Sequence, residues 1–161
     1  LLKGGACEAA LEAMRAFPEN AAVQQAACSS AAALGRHGEA RQQLVEAGAC
    51  EAVLKAMQAF PDELPVQIAA CNALGSVAWG QEGALEPVLL EACASVVAAL
   101  RLFGDQRKGK QGGCRAVRSL ASAGPACQER LHALGLGGTV LAAMRAFPDD
   151  LPLQRAGCGA L

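Results

Sequence analysis

The strongest constraint on the fold is a sequence pattern that recurs about every 43 residues. Residues 48–61 read GACEAVLKAMQAFP, and residues 5–18 read GACEAALEAMRAFP. The second half of the pattern returns at 138–148, and a more divergent copy occupies 92–104. The copies end in four anchor phenylalanines, spaced by 43, 43 and 44 residues: Phe17, Phe60, Phe103 and Phe147. A fixed period of this size predicts a helical solenoid, in which each repeat packs against its neighbours.

The second copy shows that a full unit contains three predicted helices. Residues 37–47 are a short helix in this prediction, and Gly48 breaks it. Residues 49–60 follow as a second helix with apolar side chains on one face. Pro61 ends that helix because proline cannot continue the helical hydrogen bonds, and residues 66–78 are the predicted third helix.

The predicted fold class is therefore all-α, with a single solenoid segment spanning 1–161. About four stacked three-helix repeats with truncated ends account for its length. The unit boundaries fall near 1–36, 37–80, 81–124 and 125–161, and further short connecting helices are predicted near 82–91 and 126–134. Because the sequence opens and stops within the pattern, we expect it to belong to a longer chain with an apolar flank at each end.

Two sets of recurring positions carry specific expectations. Glutamine opens the third helix of three units, at Gln24, Gln67 and Gln154. These amides could cap or bridge neighbouring turns, but we expect them to face water. The anchor phenylalanines are expected in the core, so Phe60→Ala is predicted to cost ~3–5 kcal/mol of stability.

The eight cysteines follow the repeat rather than a metal or disulfide motif. Seven lie either ten residues before or eleven residues after an anchor phenylalanine, and only Cys127 is outside this register. Equivalent positions on packed helices are about 10 Å apart, whereas a disulfide needs Cα atoms within about 7 Å. We therefore expect buried, reduced thiols in an intracellular, cytoplasmic protein. A disulfide between non-equivalent cysteines stays open, and no C-x-x-C pair predicts a metal.

The charge and hydropathy of the chain disfavour two classes of partner. The formal net charge is −1, so no global field attracts nucleic acid or a membrane surface. No apolar run reaches the length of a membrane-spanning helix, and membrane insertion is not expected. The sequence does not begin with Met, which leaves its targeting open.

Three groups of residues carry a resemblance to a known family. They are the turn Leu-Val-Glu-Ala-Gly-Ala at 44–49, the apolar face of 53–57, and Val-Gln at 66–67 leading into Ala-Cys-Asn-Ala-Leu at 70–74. This pattern resembles the armadillo repeat family over essentially the whole chain. The resemblance implies a right-handed superhelix whose third helices line a concave groove. It also implies a scaffold or adaptor role without catalysis.

The Ala-Met-x-Ala-Phe-Pro form at 56–61 is more similar to divergent armadillo arrays than to catenins. Such arrays occur in leucine-rich-repeat kinases and in many algal or protist proteins. The chain also departs from importin-type and catenin-type arrays, whose groove asparagines correspond to Ala33, Ser76 and Ser119 here. The tryptophan positions of importins hold Ser29, Asn72, Arg115 and Gly159. Backbone clamping of an extended peptide and nuclear import are therefore not implied.

The third unit contains an unusually basic window at 101–118. Six of the fourteen Lys and Arg residues lie there, and only Asp105 opposes them: Arg101, Arg107, Lys108, Lys110, Arg115 and Arg118. One interpretation is a surface for an acidic or phosphorylated protein segment. The other is a solvated, irregular loop, since glycines at 104, 109, 112 and 113 weaken the helix start. Duplex nucleic acid is disfavoured because no aromatic residues alternate with the charges.

The candidate partner-binding residues follow from this window and from the third helices. They are Asn72, Ser76, Arg107, Lys108, Lys110, Arg115 and Arg118. Trp79, the only tryptophan, is either an exposed interface anchor or packs against the next short helix near Leu85. No residues at catalytic spacing are found, so no enzyme activity, cofactor or small-molecule substrate is predicted.

Three functions remain open from the sequence. The first is a protein-interaction scaffold that uses the third helices or the basic window. The second is a structural subunit or peripheral extension of a large assembly, since alanine dominates the helix surfaces. The third is an accessory region of a larger enzyme such as a kinase, which flanking sequence would decide.

Overall fold

The computed structural model describes residues 2–80 and 85–161, with side chains of the first helix from Gly5 onward. Over these residues the fold is all-helical, with ten helices and no strand. The helices are α1 (Leu2–Ala16), α2 (Ala21–Leu34), α3 (Gly38–Glu46), α4 (Ala49–Ala59), α5 (Leu64–Val77), α6 (Glu86–Leu102), α7 (Arg107–Ala121), α8 (Pro125–Ala133), α9 (Leu136–Ala146) and α10 (Leu151–Cys158). None of them is long and apolar enough to cross a membrane.

The predicted helices of the second unit are confirmed to within two residues as α3, α4 and α5. Gly48 separates α3 from α4 in the left-handed conformation, with φ of 80°, where a side chain would be strained. Gly135 does the same before α9, with φ of 71°. Pro65 lies in the first turn of α5, where the missing N–H costs no helical hydrogen bond. The predicted helix near 126–134 is also present, as α8.

The third unit departs from the predicted plan. α6 is a single helix of 17 residues, and over its described part the predicted short helix near 82–91 is not separate from the second helix. Residues 82–84 of that prediction lie outside the described residues. Glu91 occupies the position that corresponds to Gly48, so the glycine that would turn the chain is missing. The helix therefore continues through this position.

Four helices form a continuous stack, because α2 packs on α5, α5 on α7, and α7 on α10. They are the third helices of successive units, and the arrangement is compatible with an α-solenoid. The buried core runs through the stack and includes seven of the eight cysteines: Cys7, Cys28, Cys50, Cys71, Cys93, Cys114 and Cys127. All eight cysteines are free thiols, and burial raises the pKa of Cys28 to about 12. Cys158 is exposed, which differs from the prediction, because α10 packs against α7 and α9 through its other faces.

The expectation that the recurrent glutamines face water is wrong. Gln24 and Gln67 are buried, and Gln154 is partly buried. The Nε2 atom of Gln67 donates to the carbonyl oxygens of Met57 and Phe60, both at 2.8 Å. Gln24 and Gln154 make the same pair of bonds in the first and fourth units. Each amide thus satisfies carbonyl groups that the end of the preceding helix leaves without a helical partner.

The four anchor phenylalanines are not equivalent in the structure. Phe17 is 55% exposed, Phe60 and Phe147 are partly buried, and Phe103 is 1% exposed. Only Phe103 is therefore a fully buried core side chain. Three leucines are exposed near the C-terminal end of the stack, on or after α9 and α10: Leu141, Leu151 and Leu161.

Candidate protein-binding surface

The basic window at 101–118 is mostly helical, so its interpretation as an irregular loop is wrong. Only residues 103–106 connect α6 to α7. The three glycines inside α7 are buried: Gly109 and Gly113 face the end of α6, and Gly112 faces Asn72 of α5. A Cβ atom at Gly109 would lie 2.6 Å from Cγ of Phe103, and one at Gly113 would lie 2.5 Å from a leucine Cδ2 of α6. These glycines make room for the large side chains of the preceding helix.

Lys110 does not belong to the binding surface predicted from the sequence. It is only 8% exposed, and its Nζ atom donates to the carbonyl oxygen of Leu100 at 2.6 Å. Lys110 occupies the position of Gln67 one repeat later, which is the buried capping position between two helices. Burial lowers the pKa of the Lys110 ammonium group, although Cys114 and Asp105 act in the opposite direction.

Arg107 and Lys108 lie at the exposed start of α7 but differ in their contacts. The Nε atom of Arg107 is 3.5 Å from Oδ2 of Asp150, and its guanidinium lies 5.6 Å from the centre of the Phe147 ring. Asp150 is buried and also accepts two hydrogen bonds from Nε2 of Gln111, at 2.9 and 2.8 Å. Arg107 therefore joins the third and fourth units, whereas Lys108 is exposed.

Arg115 and Asn72 are brought together across two packed helices. Nη2 of Arg115 on α7 donates to Oδ1 of Asn72 on α5. The Nδ2 atom of Asn72 donates to the carbonyl oxygen of Ile68 at 3.0 Å, which fixes the orientation of the amide. Both side chains are partly exposed. Asn72 therefore holds Arg115 in place through one nitrogen and leaves its other N–H donors for a further contact.

Arg118 is paired with Trp79 on the same surface. Its guanidinium carbon lies 4.8 Å from the centre of the indole ring, within the range of a cation–π interaction. Trp79 is 40% exposed, so it presents part of its ring to solvent. The stem of Arg118 also packs at Gly159, where a Cβ atom would lie 2.6 Å from its Cδ. Arg118 is thus confined on two sides.

Ser76 is placed below this surface rather than on it. It is buried, as is Ser119 at the equivalent position of the next unit. The Ser119 hydroxyl donates to the carbonyl oxygen of Gly75 at 2.8 Å. Gly75 allows this approach, because a Cβ atom there would lie 3.1 Å from the backbone nitrogen of Ala116. These residues fix the spacing of α5 and α7 and are not available to a partner.

Asn72, Trp79, Arg115 and Arg118 together form what we call the arginine–tryptophan cluster. Arg107 and Asp150 make the one ion pair within the described parts of the chain, so no carboxylate among those residues neutralises Arg115 or Arg118. Burial lowers the pKa of Arg115, and the positive charge of Arg36, after the end of α2, adds to this effect. The cluster is therefore positively charged at a partly dehydrated position, without a carboxylate partner from residues 2–80 or 85–161.

Sequence reasoning finds three members of the cluster but not the pairing of Arg118 with Trp79, nor the contribution of Arg36. Equivalent positions are about 43 residues apart, whereas Trp79 and Arg118 are separated by 39. Arg118 lies one helical turn before Ser122, which is the true equivalent of Trp79. A search for basic residues one turn from the equivalent of an aromatic residue would have found this pair.

A metal site and a ligand cleft have little support among the described residues. No group of three His, Cys, Asp or Glu side chains there is placed to hold a metal ion. A cleft of ≈ 490 Å³ lies mainly between α1 and α4, and its charged lining residues are Arg15, Glu51 and Lys55. Arg15 already donates to the carbonyl oxygen of Ala47 at 2.8 Å, so its charge is partly engaged within the protein.

Comparisons with protein-family models, with curated proteins and with solved structures find no match for this chain.

Proposed function

We propose that this chain is a non-catalytic protein-interaction scaffold built from armadillo-like repeats. In this proposal the third helices α2, α5, α7 and α10 line the concave side of a right-handed superhelix. The observation that supports it best is the arginine–tryptophan cluster, where the exposed Trp79, just after α5, lies beside two arginines of α7 that no described carboxylate neutralises. Tryptophan and arginine are the residues that most often carry binding energy at protein interfaces.

A protein partner suits this surface better than nucleic acid or a small molecule. The cations do not continue along the stack, because Lys110 is buried and Arg107 is paired with Asp150. Nucleic-acid binding needs several phosphate contacts in succession. The cluster is also on an open helical surface, whereas small-molecule sites are concave and enclosed. The free thiols of the buried cysteines go with an intracellular, cytoplasmic location in this proposal.

The experiment that tests the proposal is site-specific photo-crosslinking in the native extract. A photoreactive phenylalanine derivative replaces Trp79, and a matched variant carries it in place of Arg145, which is exposed on α9. The crosslinked products are identified by mass spectrometry. We expect one recurrent protein to be crosslinked from position 79 and not from position 145.

Two results would contradict the scaffold proposal in different ways. If position 79 gives no protein crosslink while the variant remains helical, the cluster does not face a partner. If both positions crosslink equally to many subunits of one large particle, the chain is a structural component of that particle.

The structural role is the second candidate, and one observation favours it. Leu141, Leu151 and Leu161 are exposed near the end of the stack, where a further helical unit or a neighbouring subunit could cover them. Exposed apolar surface commonly marks protein contacts where it forms a continuous patch. An assembly held by this end face would be weakened by changes at these leucines and unaffected by changes at Arg115 or Arg118.

A further inference from the structure

We infer that the arginine–tryptophan cluster binds a phosphate monoester, carried by a phosphorylated serine or threonine of the partner protein. This inference rests on the proposed scaffold function and specifies the chemistry of its partner. It draws on three features of the cluster: the spacing of its two arginines, the way each is held, and the absence of a neutralising carboxylate among the described residues.

The spacing places both guanidinium groups on one face. Arg115 and Arg118 are three residues apart on α7, and side chains with this spacing are neighbours on a helix surface. Both are also directed toward α5, since Arg115 bonds to Asn72 and Arg118 stacks on Trp79. Both guanidinium groups therefore lie on the side of α7 that faces α5.

Both arginines are held before any ligand arrives. A guanidinium that is stacked on an aromatic ring keeps its N–H groups at its edge, where they can donate to an oxyanion. Arg118 is further confined by its packing at Gly159, and Arg115 by its bond to Asn72. Binding an anion here costs less side-chain entropy than binding it between freely mobile lysines.

The charge of the cluster matches a dianion better than a single carboxylate. A phosphorylated side chain carries a charge of about −1.5 to −2 and several strong acceptor oxygens at neutral pH. It can therefore accept hydrogen bonds from both guanidinium groups at once, whereas one aspartate or glutamate neutralises only one of them. Arg36 adds to the positive potential from the end of α2, and no described carboxylate lies within ion-pair distance of either arginine.

The experiment uses three immobilised peptide libraries that differ only at their central residue. The centre is phosphoserine, serine or aspartate, and the flanking positions are random. We measure the retention of the wild-type chain and of the double variant Arg115→Gln/Arg118→Gln. The matched control is Arg130→Gln/Arg145→Gln, which removes the same charge from exposed positions on α8 and α9. Circular dichroism checks that each variant keeps its helix content.

We expect the wild-type chain and the control to prefer the phosphoserine library over the serine library by about tenfold or more, as for a charge-assisted pair of contacts. The double variant should lose this preference. Equal retention on all three libraries overturns the phosphate inference but leaves the scaffold proposal to its crosslinking test. A preference that survives the double variant overturns the assignment to this cluster. Displacement of the bound chain by an oligouridine at lower concentration than by free phosphoserine peptide would also overturn it, in favour of RNA.

Discussion

In the second and third units, the junction between the second and third helices is stabilised by different side-chain groups. In the second unit, the amide of Gln67 donates to two carbonyl oxygens, and Phe60 lies half-buried beside it. In the third unit, the ammonium of Lys110 donates to one carbonyl oxygen, and Phe103 is fully buried. The same position in the repeat thus holds a neutral group in one unit and a cation in the next.

The difference shows how one repeat can be specialised without losing its fold. A buried amide donates hydrogen bonds to two carbonyl groups and is neutral, so its burial removes no charge from water. A buried ammonium group is charged, and its removal from water costs free energy. The third unit differs further in that its anchor phenylalanine, Phe103, is fully buried, and Gly109 and Gly113 make room for it. Two residues of the predicted basic surface, Arg115 and Arg118, lie on the side of α7 toward α5 and remain available to a partner.

The largest effect should appear when the two phenylalanines are truncated in parallel. Phe103→Ala should lower the free energy of unfolding by ~3–5 kcal/mol, because it leaves a cavity in a fully buried site. Phe60→Ala should cost less than half as much, because its ring is already partly exposed. This lowers the value predicted from the sequence, which treats Phe60 as a core residue. Urea unfolding of both variants measures the two losses, and equal losses would mean that the two junctions are packed alike.

The next effect concerns the space that the glycines provide. Gly109→Ala should destabilise the chain by ~1–3 kcal/mol, because its Cβ atom would overlap the Phe103 ring. The matched control is Gly138→Ala on α9, where a Cβ atom meets nothing within 4 Å. That change should stabilise the helix by up to ~1 kcal/mol, since alanine is the better helix former. Thermal unfolding compares them, and a Gly109→Ala variant as stable as wild type would show that the ring moves aside freely.

How much the sequence reveals differs between the fold and the surface. The helix boundaries of the second unit follow from Gly48 and Pro61, because backbone conformation at glycine and proline is a local property. The continuous α6 could have been predicted from Glu91, which stands where the turn needs glycine. Local rules of this kind account for most of the helices.

The surface could be predicted only in part, because it depends on contacts between helices. Lys110 is predicted at the surface since lysine is rarely buried, and its burial follows only from its equivalence to a capping glutamine. The repeat spacing shows that Lys110 is equivalent to the glutamine, but it does not show that the glutamine binds carbonyl groups of the preceding helix. The pairing of Arg118 with Trp79 depends on how far the arginine side chain reaches along the neighbouring helix. Rules for residue spacing within one helix do not predict such a contact.

The smallest effect should come from exchanging the capping residues themselves. Lys110→Gln should raise the free energy of unfolding by about 1 kcal/mol near neutral pH, since an amide avoids the buried charge. Gln67→Lys should lower it, because the reverse exchange places a cation among the carbonyls of the second unit. If the two exchanges have the same sign, the junctions do not differ in the way that their hydrogen bonds suggest.

The pH dependence of the Lys110→Gln gain sharpens this test. Burial lowers the pKa of Lys110 below its ordinary value of 10.5, so the unfolded chain binds this proton more tightly than the folded chain. The destabilising contribution of Lys110 is therefore complete below its folded-state pKa and fades as the pH rises toward 10.5. The stability difference between Lys110→Gln and wild type should therefore shrink as the pH is raised from neutral toward 10.5. Buried thiols, whose pKa is raised, destabilise both proteins at alkaline pH and largely cancel in this difference. A difference that stays constant over this range would show that Lys110 is not held as a desolvated cation.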